Sequence, residues 1–256
     1  MHINLTGKVA LITGVSRRQG IGAAIAKQLA GAGATVFTTY FRPYDREIGL
    51  SKGAHEATEI LQELRDMGVG AAGAEADLAD VNAPARIFAA AIAQFGQVDI
   101  LVNNATRDTP ANIDTVDAAT MDDHLAINVR GPLLLCQQFA KHFRGPSGGR
   151  IINMTSGQGL TPMPDSLPYV ASKGAIEALT LSLAPPLMRR GITINAVDPG
   201  ATDSGWIDAA LHAQLVVQSP SGRVGLPADA ARLVCFLAAD EAAWITGQIL
   251  RSRGGM

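Results

Sequence analysis

Cysteine is scarce in this chain: there are two among 256 residues, and Cys136 and Cys235 both fall in apolar helical patterns. That excludes a disulfide framework and the paired spacing of a zinc site, and makes a reducing compartment, the cytoplasm, the simplest expectation. Five scattered histidines show no ligand spacing, so no metal is expected. Neither sign of charge is in excess, since the formal net charge is −2. Nucleic acid and anionic membrane surfaces therefore have no electrostatic claim as partners. No apolar run reaches the ~18 residues of a membrane span. The most apolar helical stretch, 175–188, is interrupted by Thr180, Ser182 and Pro185-Pro186. The start, Met1 to Lys8, has no basic segment followed by a long apolar one, so no signal peptide is expected. Linkers, repeats and low-complexity segments are missing too. With 47% hydrophobic residues, the expectation is one domain over 1–256 with an ample core.

Strand and helix patterns alternate along the chain. Lys8–Thr13 is a short, continuously apolar run, as a strand buried on both faces requires. It leads into the glycine loop Gly14-Val-Ser-Arg-Arg-Gln-Gly20-Ile-Gly22, and an alanine-rich helical pattern follows to about Ala32. Strand, glycine loop and helix together form the context in which backbone approaches a pyrophosphate at a helix N-terminus. Gly33–Tyr40 is the second strand. An acid at its far end would hold a ribose 2′-hydroxyl, but the end reads Thr39-Tyr40-Phe41-Arg42, with no acid before Asp45. Arg42, with Arg17 or Arg18 of the glycine loop, suits a 2′-phosphate because a guanidinium fork donates two hydrogen bonds. NADP(H) is therefore the preferred cofactor, with NAD(H) as the alternative; equally, these arginines suit solvated loop positions.

Pro43–Gly53 reads as an irregular connection and His55–Met67 as a helix. Gly70–Ala76 is a weak strand, and Asp77-Leu78 follows it, placed to meet an adenine amino group. Asn82–Phe95 is a helix and Val98–Asn103 a strand that runs into Asn104-Ala105. Those asparagines suit either bracing of backbone beside a cofactor or an ordinary turn. Thr120–Phe143 reads as one long helix. Asn128 lies in it among Leu125, Ile127, Val129 and Leu133, where a buried amide needs hydrogen-bond partners. Residues 150–155 form the fifth strand, 168–190 a helix, and Gly191–Val197 the sixth strand, which leads into Asp198-Pro199-Gly200-Ala-Thr202. The mixed segment 203–222, with Trp206, Leu211 and Val216-Val217, suits a mobile flap or a peripheral helix pair. Pro227–Ala239 is the last helix and Gln248–Leu250 a short last strand. Right-handed crossovers make this an α/β fold of Rossmann type, a doubly wound parallel sheet of about seven strands with helices on both faces.

One helix carries Tyr169-Val-Ala-Ser-Lys173. Residues four apart on a helix share a face. A phenol has an ordinary pKa near ~10, and a neighbouring ammonium favours its ionised form. The pair suits general acid work on a carbonyl oxygen, and Ser156, just past the fifth strand, offers a hydroxyl to the same oxygen. Ligands of such sheets bind beyond the carboxyl ends of the strands. Thr13-Gly14, Asn103-Asn104, Ser156 and Pro199-Gly200 all fall at such ends.

These residues, in order and at family spacing, make the chain resemble the short-chain dehydrogenase/reductase family over nearly its whole length. The matching pieces are Thr13-Gly14 with Gly20 and Gly22, Asp77, Asn103-Asn104-Ala105, Asn128, Ser156, Tyr169-x-x-x-Lys173, Asp198-Pro199-Gly200 and Ile245-Thr-Gly-Gln-Ile-Leu250. The resemblance implies that Tyr169 is the acid/base and that Lys173 binds the nicotinamide ribose and lowers the Tyr169 pKa. Ser156 would position the substrate carbonyl, and Asn128 would hold a water in a proton relay. It implies a cofactor contact set of Gly14, Ser16, Arg17, Arg18, Gly20, Ile21, Arg42, Asp77, Leu78, Asn104, Ala105, Tyr169, Lys173, Pro199, Gly200 and Thr202. It also implies a homo-oligomer, tetramer or dimer, and a small carbonyl or alcohol substrate. The nearest likeness is to 3-oxoacyl-carrier-protein reductases and general ketoreductases. The alternatives are an enoyl-thioester reductase and a non-catalytic NADP-sensing protein. Three departures stand out. The glycine loop has five residues between Gly14 and Gly20 where the usual pattern has three, Thr106 replaces the glycine that usually follows Asn-Asn-Ala, and Pro185-Pro186 would kink the helix of Tyr169.

Overall fold

The computed structural model describes residues 3–50, 53 and 55–255. The first two residues and part of the 43–53 segment lie outside the described residues. Seven strands form one parallel sheet: β1 Val9–Ile12, β2 Thr35–Tyr40, β3 Ala71–Glu75, β4 Ile100–Asn103, β5 Gly149–Met154, β6 Ile192–Asp198 and β7 Ile249–Arg251. Their spatial order is β3-β2-β1-β4-β5-β6-β7. The order reverses between β1 and β4, and all the strands point the same way, so their carboxyl ends share one edge.

The central strands β1, β4, β5 and β6 are buried along their whole length because both faces of the sheet are covered. Along β1 the faces alternate: Ala10 and Ile12 join one core with α1 Ile21–Gly31, α3 Glu56–Asp66 and α9 Pro227–Ala238. Leu11 points to the other core, with Phe88 and Phe139 on α4 Ala83–Phe95 and α6 Gly131–His142, and Leu187 on α7 Leu167–Met188. Each fully buried Leu, Ile or Phe contributes about 1.5–3 kcal/mol of apolar burial.

Several expectations are corrected. Residues Arg42–Glu47 form a short helix, α2, inside the stretch expected to be irregular. Pro43 at its first turn costs no hydrogen bond there, and Asp45 and Arg46 suit its two ends. The helix expected over 120–143 runs without a break from Ala118 to His142, but its regular repeat is interrupted by a π-helical turn Ala126–Arg130 between α5 Ala118–Leu125 and α6. Asn128 occupies the middle of the widened turn. The 203–222 segment holds one helix, α8 Ala209–Gln218, with no buried residue. Finally, α7 runs through Pro185-Pro186, which sit in its last turn. The carbonyls they leave without a helical donor belong to Leu181 and Ser182, both exposed to water.

Candidate active site

The glycine loop joins β1 to α1 at the point where the strand order reverses. Gly14 has φ +74°, a left-handed conformation that a side chain disfavours. A Cβ on Gly22 would lie 2.5 Å from the Gly14 carbonyl oxygen and 2.6 Å from Asn104 Nδ2. Asn104 is what holds the loop: its Nδ2 donates to the carbonyls of Thr13 at 2.8 Å and Gly14 at 3.1 Å. The Thr13 hydroxyl accepts from the backbone N–H of Asn104 and of Ala105, each at 3.0 Å. The β1 and β4 ends are thereby laced together, with bare backbone left at the mouth of α1. Gly20 precedes α1 as its N-cap with no side-chain cap, and Ile21 opens the helix, so the first amides point outward without an internal acceptor.

The three arginines expected at a 2′-phosphate are each held by a different acid. Arg42 meets Glu75 at 2.6 Å, Arg17 meets Asp45 at 3.1 Å, and Arg18 meets Glu59 and Glu63 at 3.3 and 2.5 Å. Asp45 also accepts from the Ser16 hydroxyl; burial raises its carboxyl, and Ser16 and Arg17 oppose that rise. Arg17 Nη1 further donates to the Ser204 carbonyl at 2.8 Å. On α2, Tyr44 reaches across to the backbone of Asp108, accepting from its N–H at 2.9 Å and donating to its carbonyl at 3.2 Å. Glu47 pairs with Arg107 at 2.7 Å. Asp77, past β3, accepts from the Ala79 N–H at 2.8 Å, and the Leu78 side chain is buried beside it.

At the ends of β4, β5 and α7 the reactive side chains gather. Lys173 is buried and donates from Nζ to the Met154 carbonyl at 3.0 Å, where β5 ends; Nζ stands 5.4 Å from the centre of the Tyr169 ring. The Ser156 hydroxyl lies near enough to the Tyr169 phenol to favour its ionised form. Asn128 accepts at Oδ1 from the Arg107 N–H at 2.7 Å, and donates from Nδ2 to the Arg107 carbonyl at 2.8 Å and the Ser172 hydroxyl at 3.0 Å. Ser172 in turn donates to the Tyr169 carbonyl at 2.7 Å. Thus the π turn, the loop after β4 and the helix of Tyr169 form one hydrogen-bonded unit. Asn103 is directed inward, to Asn153 at 2.8 Å, and supports the site from beneath.

The Tyr169 phenol is pushed up, first by burial and then by the carboxylate of Asp108, with the Ser156 hydroxyl opposing. Lys173 is lowered to about 8 by burial, with Asp108 opposing. At neutral pH the phenol is thus a protonated donor beside a lysine that still carries its charge. Asp108 and Tyr44 escaped the sequence reading, because no spacing rule connects them to Tyr169; Ser172, three residues on along the same helix, was within reach of one and was passed over.

At the end of β6, Asp198 accepts the Gly200 N–H at 2.9 Å and an Arg253 N–H at 3.0 Å. The Thr202 hydroxyl donates to the Pro199 and Gly200 carbonyls at 3.1 and 3.2 Å, shaping that turn. Arg253 lies directly over Gly157, the residue after Ser156.

The residues fit a dinucleotide. Gly14 and Gly22 let the loop backbone pack directly on Ala105 and Asn104, the first α1 amides are left without internal acceptors, and the buried Thr106 hydroxyl beside Ala105 has no partner. The amide of Gln158, two residues past Ser156, is likewise buried with both ends unpartnered, which marks a polar edge for a substrate. Among the described residues no cluster of metal ligands occurs, and no helix is long and apolar enough to cross a membrane.

A family model described as Enoyl-(Acyl carrier protein) reductase matches residues 14–256. Among curated proteins, the chain is 44% identical over 250 residues to an uncharacterized oxidoreductase, YjdA, of Bacillus subtilis (strain 168), covering 97% of this chain and 96% of that one. It is 36% identical to the 3-oxoacyl-[acyl-carrier-protein] reductase FabG of Staphylococcus aureus (strain Mu50 / ATCC 700699), with 97% and 98% covered. A crystal structure of a short chain dehydrogenase from Burkholderia cenocepacia J2315 in complex with NADP superposes with a TM-score of 0.88 at 36% identity, covering 98% of both chains.

Proposed function

This chain belongs to the short-chain dehydrogenase/reductase family of NAD(P)-dependent oxidoreductases, and on that premise we propose that it reduces a ketone or 3-oxoacyl group to a secondary alcohol with NADPH. The observation that carries this reading is the Ser156–Tyr169–Lys173 group at the carboxyl edge of the sheet, with the serine beside the phenol and the Lys173 Nζ 5.4 Å from the centre of its ring. A nicotinamide, when bound, supplies the hydride that the carbonyl carbon takes up.

The chain's own residues do the rest. The Ser156 and Tyr169 hydroxyls converge on one carbonyl oxygen and polarise it. As that oxygen gains electron density it becomes more basic than the phenolate, and the phenol proton moves to it. The Lys173 ammonium stabilises the phenolate left behind and binds the ribose. Asn128 acts through others, since its amide fixes the Arg107 loop and Ser172. The cofactor contacts proposed for this edge are Gly14, Ser16, Arg17, Gly20, Ile21, Asn104 and Ala105 at the reversal point, Asp77 and Leu78 at the adenine side, and Pro199, Gly200 and Thr202 beyond β6. Arg42 at the end of β2 and the NADP-bound relative support NADPH over NADH.

The description of the family model favours a second reading, reduction of an enoyl thioester. The spacing Tyr169-x-x-x-Lys173 favours C=O, because enoyl reductases of this superfamily usually set the two residues further apart. Nicotinamide consumption with ketones, β-keto esters and enones separates them. Turnover of ketones with NADPH supports the proposal. Saturation of an enone with its carbonyl left intact replaces it by the second reading.

A further inference from the structure

Beside the Pro199–Gly200 turn lies a cavity of about 260 Å³ whose polar lining includes Arg223, Asp229, Arg232 and Arg253. Its polar lining is mostly cationic, with three guanidinium groups against one carboxylate. That carboxylate has no capacity to spare. Asp229 Oδ1 accepts from Arg223 at 3.1 Å and Arg232 at 3.1 Å, and Oδ2 accepts from Arg223 at 2.7 Å and the Leu226 N–H at 2.9 Å. Arg232 uses one N–H on it and is otherwise exposed, while Arg253 forms the enclosed part of the wall.

Arg253 supplies an independent observation. Its Nη1 is taken by Asp198, but its Nε–H is buried without an acceptor. A buried guanidinium N–H left unpaired is costly unless something fills it. The walls are also held in place: Ser252 N–H donates to the Asp198 carbonyl at 2.8 Å, and Gly225 N–H to the Ala201 carbonyl at 3.1 Å. A recess of fixed shape with spare guanidinium donors and a saturated acid selects for an anion.

We propose that this cavity is an anion-binding site for a small molecule bearing a carboxylate or a phosphate ester, on the far side of the Pro199 turn from the glycine loop. The recess has room for a few heavy atoms beyond the charged group, so the ligand is a small organic acid or phosphate ester and not a polymer. Arg253 connects it to the chemistry. The same side chain packs on Gly157, next to Ser156, and on Gly200. Occupancy therefore bears on the two loops that frame the substrate.

Thermal unfolding of the whole protein tests this, with inorganic phosphate in one arm, malonate in another and chloride at equal ionic strength as reference. A ligand bound only by the folded state raises Tm, and a millimolar site probed at about a hundredfold excess raises it by several degrees. The exposed Arg232→Gln should lose at least half of the shift. Lys141→Gln, which removes the same charge on α6, should keep it. A larger rise with phosphate assigns a phosphate ester, and a larger rise with malonate assigns a carboxylate. Equal rises in wild type and Arg232→Gln, or no rise beyond chloride in both arms, would overturn the site whatever the enzyme reduces.

Discussion

Asn128 closes a two-point ring on the backbone of Arg107, accepting the N–H at 2.7 Å and donating to the carbonyl at 2.8 Å. The π turn makes this reach possible by widening the helix where the amide must leave it. Truncation in Asn128→Ala leaves those backbone groups and Ser172 without their partner. We expect about 2–4 kcal/mol lost, by analogy with unsatisfied buried groups, and a fall in turnover larger than the rise in KM. Chemical denaturation and steady-state kinetics check both; unaltered stability would mean that water replaces the amide.

Tyr169→Phe removes the proton donor and keeps the ring. Turnover should fall by about 10²–10⁴, the ordinary contribution of general acid catalysis. Cofactor binding, followed by nicotinamide fluorescence, should change little. Retention of turnover would remove Tyr169 from its assigned role.

Lys173 sits at about 8, below the ordinary lysine value. The folded state therefore binds fewer protons than the unfolded state between pH 8 and the ordinary lysine range near ~10.4, and its stability rises with pH across that window. Below pH 8 both states are charged and the cost of burying the ammonium is present in full. Lys173→Met removes that cost, so the variant should be most favoured relative to wild type below pH 8, with the difference shrinking by up to ~3 kcal/mol by pH 10. Unfolding at a series of pH values measures it; a constant difference would show that the lysine is not desolvated. The Tyr169 phenol, raised by burial, acts in the opposite sense only above its ordinary value near ~10.

Gly22→Ala places a Cβ 2.5 Å from a backbone oxygen that cannot retreat, because Asn104 holds that loop. A loss of about 1–3 kcal/mol is expected, with dinucleotide affinity weakened at least tenfold. Gly174→Ala on α7 is the contrast: its Cβ would meet nothing within 4 Å, so a gain of about 0.5–1 kcal/mol is expected. Calorimetry on the two variants reads both effects.

Arg42 already has a partner in Glu75. A 2′-phosphate must compete for it. Arg42→Ala should weaken NADPH by about tenfold while leaving NADH nearly unchanged, and Glu75→Gln should strengthen NADPH. Equal losses for both cofactors on Arg42→Ala would remove the arginine from cofactor selection.

Much of this protein follows from local sequence. Val9–Ile12 is apolar without alternation because a parallel sheet is covered twice, so strand type and fold class were readable at once. Tyr169 and Lys173 share a face because the helix repeat puts them there. The glycine spacing marks the turn before α1. What depended on tertiary structure are the relationships between residues far apart in the chain. Glu75 lies 33 residues from Arg42, Arg107 lies 21 from Asn128, and Arg253 lies 55 from Asp198. No periodicity reports such pairs. The π turn was equally hidden, since a helix with one wider turn keeps nearly the same apolar pattern. The upward direction of the Tyr169 pKa was likewise beyond the sequence: a lysine four residues away is legible there, but the packing around the phenol and the approach of Asp108 from the loop after β4 are not.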